Sequence, residues 1–511
     1  MAVLATIREW KNSFASINRI PLDVLSLIPT RLPSQADHFR ASFVCRHWRK
    51  TFLQCAELWS KLTLSKGEVY VRTLLKRAKG SQLVIQVGHI KNPNVTVGTM
   101  KLLSPLTNRI RDLEFTHHNW AGIQKFMEIN HGPFPLLDSL TFNITRDAGH
   151  SASNMTKPPF THPFNTAINL RKFLFHSDST ASPSLSHFVF PNLVVFEFTT
   201  WELDLAVLLD FLEASPMLQT VGMTLVTDIS LDGIPQGRVV ILPNVESLNI
   251  FVYDDGPSYE IMARISCPSI TSTSLALEGN EEYINTEKIF PTLALWNTII
   301  QQYTRSPLEE VTLKLTGGVS CTLILQSSDT TVIQLRIFVG VYLHNGSAEV
   351  ERDVLTKATS TILNHPQLAN VKRFRICHDY DCLSSTPTLH VTNEVRRLFR
   401  FLGPLDELTI YHSDIQPYFD SFRNTPEGHT EESVIFSPIK DLTISHPTMT
   451  RLSDGAGATA IVGLAQARHA LGVPFERVII RALWMPEGVE EGLRPWVGHV
   501  EYRYADHKDD Y

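Results

Sequence analysis

From residue 110 onward the chain repeats one short pattern: an apolar residue, two variable positions, a second apolar residue, one variable position and a third apolar residue. Copies stand at Ile110/Leu113/Phe115, Leu137/Leu140/Phe142, Leu170/Phe173/Phe175, Leu193/Phe196/Phe198, Leu218/Val221/Met223, Val245/Leu248/Ile250, Leu308/Val311/Leu313, Leu405/Leu408/Ile410, Ile439/Leu442/Ile444 and Phe475/Val478/Ile480. A weaker copy is Val371/Phe374/Ile376. The last two apolar residues of each copy lie two apart, the period at which a β-strand returns a side chain to the same face. Each copy therefore specifies a strand with one buried face. Between copies the spacing turns helical: Leu205, Leu208, Leu209 and Leu212; Trp296, Ile299, Ile300 and Tyr303; Leu355, Ala358, Thr359 and Ile362; Val395, Leu398, Phe399 and Leu402. A unit of one strand and one return helix cannot bury its apolar face alone, so neighbours must stack into a continuous core. The expected body is an α/β solenoid over residues 108–504, making the chain α+β overall once its N-terminal helices are included.

The steps between middle positions include 27, 33, 23, 25 and 27 residues from Leu113 to Leu248 and 34, 34 and 36 from Phe374 to Val478. A core of this form resembles the leucine-rich repeat, whose period is about 20 to 29 residues, and the longer steps make the array degenerate. The resemblance implies a concave face built from the residues between and just after the apolar strand positions. Glu114, Asn143, Glu197, Asn249, Lys314 and Tyr411 are its candidate substrate-binding residues, joined by Thr116, Thr141, His176, Thr199, Thr224, Thr312, Thr409, Thr443 and Ser445. That surface is mostly Thr, Asn and Ser with few cations. It suits a protein or peptide better than phosphate, which calls for clustered Arg and Lys.

Ahead of the repeats the pattern differs. Large apolar residues recur at helical spacing from Ile20 to Leu62, punctuated by Pro21, Pro29 and Pro33. This predicts a helical module of about 45 residues over 18–63, with helices from Pro21, over Gln35 to Trp48, and over Arg49 to Leu58. A segment of that size is marginal as an independent core. Residues 1–17 read as an amphipathic lead-in helix carrying Leu4, Ile7, Trp10 and Phe14. Residues 64–107 read as a linking helix, Glu68 to Lys79, and a first strand, Gln82 to Val87; residues 505–511 read as a frayed tail. Polar stretches at 146–159, 177–186, 254–258 and 412–432 read as surface loops.

Charge separates the two regions. The net charge is −6, but residues 1–80 hold 14 Lys and Arg against 5 Asp and Glu, a net of +9 that leaves −15 for the remainder. A basic module points to an acidic protein, nucleic acid or a membrane surface. The basic residues are spread evenly and lack the interleaved exposed aromatics of a stacking platform, which argues against nucleic acid. Residues 1–12 lack the features of a secretory signal, and no apolar run approaches the roughly 18 residues of a membrane span. Six cysteines without paired spacing read as buried thiols. An intracellular protein, cytoplasmic or nuclear, is the expectation.

Catalytic signatures are weak. Asp454-Gly455-Ala456-Gly457-Ala458 lacks the Gly-Lys-Ser/Thr ending of a phosphate loop and reads as a helix start capped by Asp454 and stopped at Gly472. Cys377, His378, Asp379, Asp381 and Cys382 fit no metal-site spacing. Neither a nucleophile elbow nor a zinc-protease helix is present. The expectation is a non-enzyme with no cofactor and no metal.

Three segments of the N-terminal module carry a family resemblance. Ile20-Pro21-Leu22-Asp23-Val24-Leu25 stands where the F-box has Leu-Pro-x-Glu-Ile/Leu-Leu; Val44-Cys45-Arg46-His47-Trp48 is similar to its Val-Cys-Lys/Arg-x-Trp; Leu58-Trp59-Ser60-Lys61-Leu62 is similar to its closing Leu-Trp-x-x-Leu. Ile20 replaces the usual leucine, and Pro29 falls where the family commonly has Phe. The pairing of this module with degenerate repeats resembles the large fungal F-box families. The resemblance implies the substrate-recognition subunit of a Skp–cullin–F-box ubiquitin ligase, docking a Skp-type adaptor and through it a cullin, with the repeats holding a protein substrate. It also implies that Ile20, Pro21, Leu22, Leu25 and Ile28 face the adaptor while Val44, Cys45, Trp48, Leu58 and Trp59 pack the module. The alternative is an F-box protein or repeat scaffold that binds proteins outside ubiquitination.

Overall fold

The structure, a computed structural model, describes residues 10, 20–32, 34–88, 93–117, 120–144, 164, 167–177, 185–201, 203–225, 229–230, 233–235, 237–253, 261, 263–280, 307–316, 320–327, 332–340, 370–379, 405–411, 439–445, 456–470, 472–482 and 488–504. Apart from Trp10, the lead-in helix lies outside the described residues, as do the return helices expected at 296–303, 355–362 and 395–402 and the tail. The chain forms two compact units, one of Met1–Glu202 with Ala206–Leu218 and one of Leu203–Leu205 with Gln219–Tyr511. Their boundary falls inside the stretch read as one repeat body.

Three helices open the first unit: α1 (Leu22–Arg31), α2 (Gln35–Ser42) and α3 (Arg46–Gln54). Pro21 sits just ahead of α1, where a missing N–H costs nothing, and its carbonyl accepts from Leu25 N at 2.8 Å. The helix runs through Pro29, giving up one hydrogen bond, and stops before Pro33. Ser34 caps α2, its Oγ accepting from Asp37 N at 3.2 Å and donating to the Asp37 carboxylate at 2.5 Å. The expected second helix to Trp48 is cut short: Cys45 turns extended and caps α3, its Sγ accepting from Trp48 N at 3.5 Å. The third helix accordingly starts at Arg46 and ends at Gln54, followed by a 3-10 turn over Ala56–Trp59.

That turn runs straight into a sheet. Strands β1 (Lys61–Thr63), β2 (Leu83–Val87), β3 (Ile110–His117), β4 (Ser139–Ile144), β5 (Lys172–Ser177) and β6 (Val195–Thr200) pair in chain order, every pair parallel. Helices α4 (Glu68–Ala78), α5 (Pro93–Lys101) and α6 (Trp120–Ile129) fall between β1 and β2, β2 and β3, and β3 and β4, and α7 (Leu205–Glu213) follows β6. The register stacks equivalent apolar positions, Leu113 on Leu140 on Phe173 on Phe196. All are buried, so each triplet becomes one rung of a continuous core. Aromatic rings fill it: Phe115 stacks on Phe142 with centroids 5.1 Å apart, and Phe173 touches Phe188, Phe190, Phe196 and Phe211.

A second recurrence lies just upstream of the strands and is visible in the sequence afterwards. Phe134-Pro135-Leu136-Leu137, Phe190-Pro191-Asn192-Leu193, Ser215-Pro216-Met217-Leu218, Leu242-Pro243-Asn244-Val245 and Cys267-Pro268-Ser269-Ile270 each place proline second in a four-residue turn. The turns close by hydrogen bonds from fourth to first residue, such as Leu193 N to Phe190 O at 3.1 Å. Asn169 and Asn192 use their side chains to tie successive turns of the first unit, donating to Pro135 O at 2.7 Å and Ile168 O at 2.8 Å.

In the second unit the short strands β7 (Leu203–Asp204) and β9 (Ile229–Ser230) pair with each other, as do β10 (Val240–Ile241) and β12 (Ile265–Ser266). The main ladder holds β8 (Thr220–Leu225), β11 (Ser247–Tyr253), β13 (Ser272–Asn280), β14 (Leu308–Thr316), β15 (Ser320–Ser327), β16 (Val332–Gly340), β17 (Arg373–Asp379), β18 (Glu407–Tyr411), β19 (Asp441–Ser445), β20 (Arg477–Ala482) and β21 (His499–Tyr504). Chain order fails once. β13 pairs with β16, β16 with β15, β15 with β14 and β14 with β17. β15 runs antiparallel to both neighbours, so a β-meander stands where a strand–helix repeat was expected. Beyond it, parallel pairing resumes from β17 to β21. Helices α8 (Ala456–Ala470) and α9 (Val489–Leu493) lie among these last strands in sequence. Gly472 takes a positive φ of 75° two residues after α8, as expected of its stop. Arg468 is buried with its guanidinium 4.5 Å over the Phe475 ring, donating to Ile439 O at 3.2 Å, and burial lowers its pKa to about 10.

Candidate partner-binding surfaces

The N-terminal helices divide their apolar residues between an interior and a surface. Leu25, Trp48, Phe52, Leu58 and Trp59 are buried. Trp48 stacks on Phe52 at 5.7 Å, Trp59 Nε1 donates to Phe52 O at 2.9 Å, and the Phe39 ring meets Trp59 edge-on at 5.1 Å. From α4, the Arg77 guanidinium lies 4.7 Å over Trp59 and 5.9 Å from the Phe39 ring, a cation–π clasp between the helical region and the first return helix. On the outside stand Val24 (47% exposed), Leu27 (62%), Phe43 (69%) and Val44 (57%). Val24 and Leu27 are three apart and share a face of α1; Phe43 and Val44 form the corner between α2 and α3. The Arg49 guanidinium covers the Phe43 ring at 5.2 Å.

This partition differs in two places from the roles the resemblance implies. Leu25, expected to face a partner, lies in the interior, because a short module with few core positions needs it there. Val44, expected to pack inside, is exposed, because Cys45 turns the backbone extended immediately after it. Pro21 is exposed, while Ile20, Ile28 and Cys45 are half-buried. Leu22 belongs to α1, and its side chain lies outside the described residues. Exposed Leu27 and Phe43 carry no motif position and were missed; amphipathic spacing on α1 was the available signal for Leu27.

On the repeat strands the period-2 alternation holds. In the first unit, Gln86, Glu114, Thr141, Leu174 and Glu197 form one register row, and Thr116, Asn143, His176 and Thr199 the next. The candidate residues Glu114, Asn143 and Glu197 thus share one face and are half-buried. A polar chain crosses it: Thr63 Oγ1 donates to Gln86 Oε1 at 3.3 Å, and Gln86 Nε2 donates to Glu114 Oε2 at 2.8 Å. His176 Nδ1 is 3.0 Å from Thr199 Oγ1, and its Nε2 is 3.8 Å from Glu197.

The second unit brings Asn249, exposed, and Tyr411, half-buried, to its strands, with Lys314 placed by backbone register. It also brings together residues the sequence reading missed. Glu310, Arg373, Glu407, Asp441 and Arg477 share one register row. Arg373 and Arg375 each reach Glu310 at 3.2 Å, and Arg477 pairs with Asp441. At the last strand Arg503 meets Glu501 at 2.7 Å, which raises the Arg503 pKa and lowers that of Glu501. The expected scarcity of cations does not hold here, because Arg373 and Arg477 lie just before the middle apolar residue of their triplets, a position that the concave-face reading passed over.

Among the described residues no group of three or more His, Cys, Asp or Glu is placed to hold a metal ion, and no helix is long and apolar enough to cross a membrane. Residues 17–65 match the F-box-like family, so the helical region carries an F-box-like domain. No curated protein matches the chain. Among solved structures, a Bacteroides fragilis protein determined by a structural genomics consortium aligns over 73% of this chain and 68% of its own, at 11% identity and a TM-score of 0.25.

Proposed function

We propose that this protein is the substrate-recognition subunit of a Skp–cullin–F-box type ubiquitin ligase, a non-catalytic receptor working inside the cell. The F-box-like domain docks the Skp-type adaptor and through it a cullin, and the strand ladders, read as a degenerate leucine-rich-repeat solenoid, hold a protein substrate. The observation that carries this reading is the F-box-like match over residues 17–65 together with the exposed apolar group Val24, Leu27, Phe43 and Val44 within it. A small module that leaves such residues at its surface is equipped to bury them against a partner. The net charge of +9 over residues 1–80 supports an acidic partner by steering and complementarity.

The test is reconstitution of the full chain with a purified Skp-type adaptor and its cullin. A stable complex that elutes as one species is expected. Absence of adaptor binding by a folded chain overturns the proposal.

A further inference from the structure

We propose that β21, the last strand of the second unit, is a docking edge that pairs antiparallel with β21 of a second copy of this chain to make a twofold dimer. The inference goes beyond adaptor docking and uses none of its residues.

The backbone supplies the binding groups. Among the described residues β21 pairs with β20 alone, so its other side bounds the sheet. Along a parallel strand the N–H and C=O of one residue point to the same side, and the side alternates from residue to residue. Gly498 N donates to Phe475 O at 3.2 Å, towards β20. Counting on by twos, Val500 and Tyr502 give their backbone groups to β20, while His499, Glu501 and Arg503 direct theirs outward. Natural sheets blunt such edges with lysine, proline or a bulge. His499–Tyr504 contains no lysine or proline and keeps an unbroken register with Arg477–Ala482. The rung that β21 adds to the core is also incomplete: Val478 and Ile480 are buried, whereas their register partners Val500 and Tyr502 are half-buried. A stack of strands that leaves its last apolar rung partly open gains from a further neighbour.

Charge selects that neighbour and its register. When two copies of β21 meet about a twofold axis, Glu501 can stand opposite Glu501, His499 or Arg503 of the second copy. The first arrangement opposes two carboxylates, and the second sets Arg503 against Val497, ahead of the strand. The third sets each Glu501 against an Arg503, with Tyr502 of both copies at the axis and Val500 opposite Tyr504. Opposite charges facing each other across strands stabilise a pairing and like charges oppose it. In this register Glu501 and Arg503 also exchange backbone hydrogen bonds with the second copy, closing an isologous contact. Within one copy Arg503 Nε already donates to Glu501 at 2.7 Å, and the side chains stay 46% and 31% exposed. The contact therefore needs neither charge to be free: it sets two such pairs side by side with signs alternating. An edge of six residues buries less than the roughly 1,000 Å² of a durable interface, so the dimer is expected in the micromolar range.

The test is sedimentation velocity of the full chain at low salt over about 1 to 100 μM, a range that brackets such an affinity. A reversible monomer–dimer equilibrium is expected. Glu501→Pro removes an outward N–H and leaves the β20 ladder its bonds, because proline is tolerated where the donor faces away from the sheet. It is expected to weaken dimerisation at least tenfold with unchanged thermal denaturation. Arg503→Glu puts like charges across the axis and is expected to do the same, while the exchange of Glu501→Arg together with Arg503→Glu restores the dimer. That exchange carries the test where the proline variant fails to fold. A chain that stays monomeric at every concentration overturns the proposal. So do a dimer that both folded single variants leave within twofold of wild type, an exchange that fails to restore association, and association that continues past the dimer.

Discussion

On the proposed adaptor-docking reading, two leucines two residues apart on α1 separate docking from folding. Leu27 is 62% exposed and Leu25 fully buried. Burying a whole leucine side chain contributes about 1.5–3 kcal/mol, so covering the exposed part of Leu27 in an adaptor contact contributes about 1–2 kcal/mol. Leu27→Ala should therefore raise the adaptor dissociation constant about five- to thirtyfold and leave the protection of helix amides unchanged. Leu25→Ala instead opens a cavity among the module's few core side chains, costing about 2–5 kcal/mol. In a helical region of this size that is enough to open α2 and α3 locally. The assay is calorimetric titration of the adaptor into each variant, paired with hydrogen exchange over residues 35–54. Reduced affinity from Leu25→Ala with full amide protection, or undiminished affinity in Leu27→Ala, would refute the assignment of inside and outside on α1.

Two further outcomes follow from the same region. Arg77→Ala removes the guanidinium from the Trp59 and Phe39 rings, a clasp worth about 0.5–2 kcal/mol; faster exchange of the 56–63 amides checks it, and unchanged exchange rejects the clasp. Asp37 has its pKa held below the ordinary 3.8, first by the Ser34 hydrogen bond. A lowered folded-state pKa stabilises above the unfolded value and is lost as pH falls through the folded one. Asp37→Asn should accordingly be less stable than wild type at neutral pH, with the gap closing below pH 3.8; a gap that persists at low pH contradicts this.

What the sequence made legible was periodicity. The inward residues of the triplets, from Leu113 and Phe115 to Val478 and Ile480, needed only the alternation of a strand to be placed in the core, and the helix at Leu205–Glu213 needed only its i, i+3, i+4 leucines. Partner choice between strands was not legible. β13 has the leading Ile270 but Thr273 at the middle position, β15 lacks the leading residue, and β16 carries a full triplet at Val332/Leu335/Ile337, yet nothing local distinguishes a strand that pairs with its successor from one that skips to β16. The turns before the strands were readable in principle from their second-position prolines. In the helical region, motif spacing located the segments, but a match of residue types does not say which side of a short helix turns inward. Leu25 and Val44 exchanged their expected places for that reason.

The direct passage from Trp59 into β1 bears on how the proposed receptor would be disarmed. The helical region ends in residues hydrogen-bonded to the sheet, Leu62 opposite Ile85 and Thr63 opposite Gln86, within one compact unit. It is not a portable cassette that a gene rearrangement or an experimenter can lift out at residue 63 without cost. Removal through that point strips β2 of a neighbour and uncovers backbone donors and acceptors that invite aggregation. For the proposed receptor, a trap that holds its client while uncoupled from the degradation machinery would be better made by altering a surface side chain such as Leu27 than by deletion.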